Sequence, residues 1–216
     1  MVVTVDGPAG VGKSTVARAV AAALGVAYLD TGAFYRAATL AVLRAGVPAA
    51  DAPAVLAVVV AAQLDFRDGE MLLDGEEVTE AIRAPDVAAL ASAVSTLPEV
   101  RRSVVARQRA WVQRRGGRAV VEGRDIGTVV FPEAPVKVYL TADVAERARR
   151  RARDPEAAGL TLEEIERQLR ARDYTDSTRA ASPLRPAEDA VTIDTTVLSV
   201  GEVVAVVLGL VAEEGE

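Results

Sequence analysis

The sequence predicts an α/β fold, a parallel five-stranded sheet covered by helices and interrupted by a small antiparallel insert. Three observations carry this. Short apolar runs at residues 2–5, 27–29, 119–122, 136–140 and 190–194 alternate with helical patterns, as strands buried on both faces of a parallel sheet do. The first run leads straight into Gly7-Pro8-Ala9-Gly10-Val11-Gly12-Lys13-Ser14-Thr15, a G-x-x-x-x-G-K-S stretch set between a strand and a helix. Around residues 64–79 the pattern changes to very short strands separated by Asp68-Gly69 and Asp74-Gly75, a dipeptide that marks tight hairpins.

The elements follow in order. A helix over 14–24 follows the glycine loop, and strand 27–29 ends at Asp30-Thr31-Gly32. Helix 32–45 is stopped by Gly46-Val47-Pro48, and 53–63 is an alanine- and valine-rich helix. Strands 64–67, 71–73 and 77–78 form the insert, and helices are expected over 80–94 and 99–115. Gly116-Gly117 breaks the chain before strand 119–122, which gives way to the polar loop Gly123-Arg124-Asp125. Strand 136–140, an arginine-rich helix over 144–153 and a loop over 154–159 come next. Thr161, with Glu164 three residues on, caps a helix over 162–174. Residues 175–189 are polar, 190–194 form the last strand and 199–212 the last helix. Ligands of such sheets sit outside the carboxyl ends of the strands. The glycine loop, Asp30, residues 122–125 and Asp194 all fall there.

Composition narrows the chemistry. The 216 residues suit one α/β unit with an insert, and half of them are hydrophobic, enough for a full core. There is no Cys and no His, which excludes disulfides, thiol nucleophiles, imidazole bases and Cys/His zinc sites. With a strand at the start no secretory signal is expected, and the apolar stretch 52–64 is too short to span a bilayer. A cytoplasmic protein without a membrane partner is expected. The net charge of −6 argues against a nucleic-acid partner. Lys13 and Lys137 are the only lysines, so nearly every cation is an arginine, the better bidentate phosphate donor.

The glycine loop is a phosphate-binding P-loop by its context. Glycines let backbone N–H groups turn inward on phosphate oxygens, and the helix N-terminus adds positive partial charge. Residues Gly7, Pro8, Ala9, Gly10, Val11, Gly12, Lys13, Ser14 and Thr15 are therefore expected to hold a nucleotide triphosphate. Lys13 reaches its outer phosphates and Ser14 places a hydroxyl on Mg²⁺. No guanine-reading N-K-x-D stretch exists, and a motor or transporter ATPase needs far more chain. The length suits a small-molecule phosphotransferase.

Further segments sharpen this. Asp30-Thr31-Gly32-Ala33-Phe34-Tyr35-Arg36 brings an acid, a hydroxyl and an arginine to the second strand end. Gly123-Arg124-Asp125-Ile126-Gly127-Thr128-Val129-Val130-Phe131-Pro132 follows Glu122, and Arg172-Asp173-Tyr174-Thr175-Asp176-Ser177-Thr178-Arg179 precedes Ser182-Pro183-Leu184. With the insert followed by Ile82-Arg83, and with Arg107-Gln108-Arg109, these segments span nearly the whole chain in one order. In that order the chain resembles the bacterial-type cytidylate kinases.

The resemblance implies transfer of the γ-phosphate of ATP to CMP or dCMP with Mg²⁺, by a monomer. Within a single P-loop kinase unit, it implies an acceptor-binding region over 38–98, its insert at about 64–79, and an arginine-rich lid over 147–160. Arg36, Arg124 and Arg179 are implied to hold the acceptor phosphate, with Thr31 beside them. Ser92, Arg101 and Asp125 are implied around the cytosine, and Arg172 and Asp176 at the sugar. A carboxylate or hydroxyl accepts from the cytosine amino group, and a guanidinium donates to its ring acceptors. Lys13, Arg124, Arg179 and the lid residue Arg150 are the catalytic candidates, with Arg147, Arg149 and Arg151 beside Arg150 in the lid. Glu122 is the candidate to orient a metal-bound water. Kinases for shikimate, gluconate or dephospho-coenzyme A are the nearest rivals and would lack the insert and the residue 123–132 run. A nucleotide-dependent switch would need no arginine-lined second site.

Overall fold

The computed structural model describes residues 1–154, 157, 159–179 and 181–214. Strand β1 (Val2–Asp6) delivers the chain into the glycine loop, and α1 (Lys13–Leu24) begins after Gly12 and ends before Gly25. Next come β2 (Ala27–Asp30) and α2 (Thr31–Arg44), then α3 (Ala52–Ala61), which carries Pro53 in its first turn. The insert is β3 (Leu64–Arg67), β4 (Glu70–Leu73) and β5 (Glu76–Glu77). Helices α4 (Pro85–Thr96) and α5 (Pro98–Gln113) lead to β6 (Ala119–Gly123). After β7 (Val136–Thr141) come α6 (Val144–Arg151), α7 (Leu162–Thr178), β8 (Val191–Asp194) and α8 (Val200–Glu213).

The five-stranded sheet has the order β2-β6-β1-β7-β8, and its registered pairs β1–β6, β1–β7 and β7–β8 are parallel. By contact the chain divides into two compact units, one of Met1–Tyr28 with Gly117–Glu216, the other Leu29–Gly116. In the first unit, Val3, Val5, Val120, Val136, Val138 and Leu140 pack on Val16, Val20, Val203 and Val207 of α1 and α8. Strand alternation turns Thr4, Asp6 and Lys137 to the opposite face. No helix among the described residues is long and apolar enough to cross a membrane.

In the second unit, β3 and β4 pair antiparallel, as do β4 and β5. The Asp68-Gly69 turn has φ 52° and 92°, and the Asp74-Gly75 turn 52° and 86°. Two successive left-handed residues are what a two-residue hairpin with the native strand twist requires. Helix α5 anchors the insert along one ridge. Arg107 donates to the Ala62 and Val60 carbonyls, both at 2.9 Å, closing the end of α3. One turn on, Trp111 is buried and its indole N–H donates to the Phe66 carbonyl at 2.6 Å. One turn further, Arg115 lies 3.7 Å over the indole and reaches the same carbonyl at 3.1 Å. Trp111→Phe is expected to cost about 1–2 kcal/mol, one hydrogen bond plus a small void. Urea unfolding followed by circular dichroism checks it, since Trp111 is the only tryptophan.

Two elements differ from the expectation, and a third has no counterpart in it. The helix expected over 80–94 is a short 3-10 turn, Ala81–Arg83, followed by α4. Pro85 lacks an N–H and holds Ala84 extended (ψ 146°), so the helix must restart there. Helix α7 runs to Thr178 instead of stopping at Tyr174, with Thr175 and Thr178 hydroxyls bonded back to carbonyls four residues earlier. Ile126–Val130, for which the sequence predicts no element, forms a single π turn. Of the expected lid, α6 supplies the first part, while Pro155, Glu156 and Ala158 lie outside the described residues.

Candidate active site

In the first unit the site is built from the ends of β1 and β6, the glycine loop and α7. Gly7 has φ 146°, and a Cβ there would run into the Leu140 carbonyl, so the loop can leave β1 only through glycine. Lys13 opens α1, and its ammonium donates to the Pro8 carbonyl at 2.6 Å. Burial, and then the Arg124 and Arg172 charges, push that ammonium down to about 7, against the opposing pull of Glu122 and Asp6. Ser14 and Thr15 are exposed in the first turn of α1.

Five residues join in one charged chain. Arg124 donates to the Gly7 carbonyl at 2.5 Å and pairs with Asp176 at 2.9 Å. Asp176 also faces Arg179 at 3.7 Å, and Arg179 faces Asp125 at 3.8 Å. The extra turn of α7 makes this possible, because Asp176 would otherwise lie beyond the helix. Arg124, Asp125, Asp176 and Arg179, singled out from separate motifs, are thus brought together, with Arg172 near enough to depress Lys13.

Asp6 is a site residue that the sequence reading gave no role. One carboxylate oxygen accepts from the Ile126 N–H at 2.8 Å and the other from the Gly127 N–H at 2.7 Å. It thereby ties the π turn after Arg124-Asp125 to the start of the P-loop. Burial raises its carboxyl to about 6, although both backbone bonds oppose that rise. Gly127 keeps the turn seated, since a Cβ there would press on Thr4 Oγ1 at 3.0 Å. A buried acid directly before a P-loop glycine is the signal that could have found Asp6, because such a group needs donors.

The lid arginines separate. Arg147 is buried, pairs with Asp173 at 2.7 Å and donates to the Ala9 carbonyl at 3.2 Å, so it braces the P-loop tip. Arg150 donates to the hydroxyl and carbonyl of Thr195 at 3.0 and 2.6 Å and to Glu146 at 3.1 Å. Arg149 and Arg151 make exposed pairs with Glu146 and Asp154.

In the second unit, Asp30 caps α2 by accepting from the Ala33 N–H at 3.0 Å and pairs with Arg36 at 2.9 Å. Burial would raise the Asp30 carboxyl, but Arg36 and the cap bond outweigh it and hold it below the usual range. Gly32 leaves room for this pair, a Cβ there lying 3.0 Å from atoms of each partner. Thr31 is buried, and its carbonyl accepts from the buried Gln108 at 3.4 Å. Arg101 is buried on α5, donates to the Ser95 carbonyl at 3.2 Å and sits 5.2 Å from the Tyr35 ring centre. Ser92 is exposed on α4.

Among the described residues, no cluster of three or more His, Cys, Asp or Glu side chains is arranged to hold a metal. The donor set instead suits Mg²⁺ bound chiefly through nucleotide phosphates. Such an ion keeps several waters and takes one or two protein oxygens. Ser14 in the P-loop helix and the Glu122 carboxylate beside Lys13 fit that role.

A family model described as cytidylate kinase matches residues 3–213. A cytidylate kinase of Mycobacterium avium is 49% identical over 222 residues, covering 100% of this chain and 97% of that protein. A bifunctional pantoate ligase/cytidylate kinase of Synechococcus is 51% identical over 210 residues, covering 93% of this chain. The chain spans 38% of that bifunctional relative's length. Among solved structures, a shikimate kinase from Bacteroides thetaiotaomicron is similar in fold, with TM-score 0.50, 12% identity and 98% of each chain covered. The match across nearly all of the chain, and the meeting of its separate motifs in one charged network, place this chain in the cytidylate kinase family.

Proposed function

We propose that this protein transfers the γ-phosphate of ATP to CMP and dCMP, giving CDP and dCDP. The observation that carries this reading is the charged chain from Gly7 through Arg124, Asp176 and Arg179 to Asp125, which ties acceptor-side candidates to the P-loop. The acceptor phosphate attacks through one of its own oxygens. Its second pKa is about 6, so it is anionic near neutrality and needs no base, in keeping with a chain without histidine. The task left to the protein is positioning and neutralising two polyanions. Lys13 serves the donor phosphates. Arg36, Arg124 and Arg179 serve the acceptor phosphate, with Thr31 beside them. Arg172 and Asp176 serve the sugar, and Ser92, Arg101 and Asp125 the base. Mg²⁺, held by Ser14 and through water by Glu122, would neutralise the transferring phosphates. Arg150 serves the donor side from α6.

A panel of nucleoside monophosphates with ATP and Mg²⁺ tests the reading. Turnover should require the acceptor and be fastest in kcat/KM with CMP and dCMP. A better UMP or AMP acceptor, or ATP hydrolysis indifferent to CMP, would overturn the substrate assignment.

A further inference from the structure

We infer that Tyr28 is a positioning residue that sets the Glu122 carboxylate for the metal–nucleotide. The inference rests on the reading of Glu122 as the acid on the metal side. Tyr28 lies on β2 and its hydroxyl donates to Glu122 Oε1. Glu122 is buried at the end of β6, in register with Val5 of β1, and its charge acts on Lys13. A buried carboxylate left to rotate would be costly and imprecise, and a hydroxyl donor fixes one of its oxygens.

The tyrosine is itself held. The Arg18 guanidinium lies 4.7 Å from its ring centre, a cation–π contact that steadies the ring. Arg18 is one helical turn after Ser14, on the same face of α1. One aromatic side chain therefore links the helix face that carries the Ser14 hydroxyl to the acid on β6. Tyr28→Phe removes the hydroxyl and keeps the ring under Arg18, so the fold should survive.

Mn²⁺ is the probe, titrated by electron paramagnetic resonance into protein with a non-hydrolysable ATP analogue. Tyr28→Phe should weaken Mn²⁺ binding by about 3–10-fold, at or below the range for outer-sphere partners of metal ligands. CMP affinity should stay unchanged. Glu122→Gln should weaken Mn²⁺ at least as much, and adding Tyr28→Phe to it should cost nothing more. Additive losses would overturn the proposal, since Tyr28 would then act independently of Glu122. So would Mn²⁺ affinity lost in Glu122→Gln and intact in Tyr28→Phe. If Glu122→Gln leaves Mn²⁺ affinity intact, the reading of Glu122 fails and the proposal with it. Transfer from ATP to CMP by the unaltered protein is judged separately, by the acceptor panel.

Discussion

Lys13→Ala is expected to lower kcat roughly 10²–10³-fold while leaving CMP affinity nearly unchanged. That is the size of effect seen when one donor to developing charge is removed. In the proposed function its ammonium serves the donor phosphates, where charge shifts as the phosphoryl group moves, so the loss should fall on the transition state. Steady-state kinetics with calorimetric CMP binding check it. A fall in CMP affinity equal to the fall in turnover would point to damaged folding instead.

The same residue carries a pH signature. Burial and the neighbouring Arg124 and Arg172 hold Lys13 down at about 7, well below an ordinary lysine. At pH 8 it is therefore largely neutral in the protein alone. A polyphosphate anion favours the ammonium, so ATP binding should take up close to one proton at pH 8. The uptake should vanish below about pH 6, where Lys13 is already charged, and should be absent in Lys13→Ala. Calorimetry of ATP binding in buffers of different ionisation enthalpy measures it. The sign for stability follows from the same shift. With a folded pKa below the unfolded one, the unfolded chain binds more protons between about 7 and 10.5. The contribution of Lys13 is thus present above 10.5 and lost as pH falls through 7.

Local chemistry made much of this legible in the sequence. A P-loop announces itself because its glycines, lysine and serine must be contiguous, and Asp-Gly turns announce hairpins because left-handed backbone needs those residues. Helix ends are less legible. Pro85 was hidden inside an apolar, helix-like stretch, and the Ser/Thr-rich end of α7 reads as loop until its hydroxyls fold back on the helix. The roles of Asp6 and Tyr28 depend on strand register and on bonds across 120 and 94 residues of chain, which no spacing rule reports. Composition showed an arginine-rich chain, but only packing distinguishes the buried brace Arg147 from the exposed Arg149 two positions on.

Asp125→Ala is expected to cut kcat/KM for CMP by about tenfold to a hundredfold and to narrow the preference for CMP over UMP. The carboxylate is buried, sits directly before the π turn that Asp6 pins, and faces Arg179. A carboxylate can only accept, so in the proposed function a cytosine amino group would satisfy it and the uracil oxygen would oppose it. Losing such a bond and leaving buried groups unpaired costs about 1–3 kcal/mol, which sets the range. The competing account is that Asp125 merely holds Arg179 in place for the acceptor phosphate. A phosphate contact is blind to the base, so under that account CMP and UMP turnover would fall by one common factor. Asp125→Asn separates the two further. The amide has the same shape and still offers an oxygen, so the Arg179 contact is weakened while an amino donor now faces the base. Selectivity should then move toward UMP, whose oxygen can accept from that amide. A CMP-to-UMP ratio unchanged in both variants would assign Asp125 to bracing alone, and ATP affinity should be little altered in either.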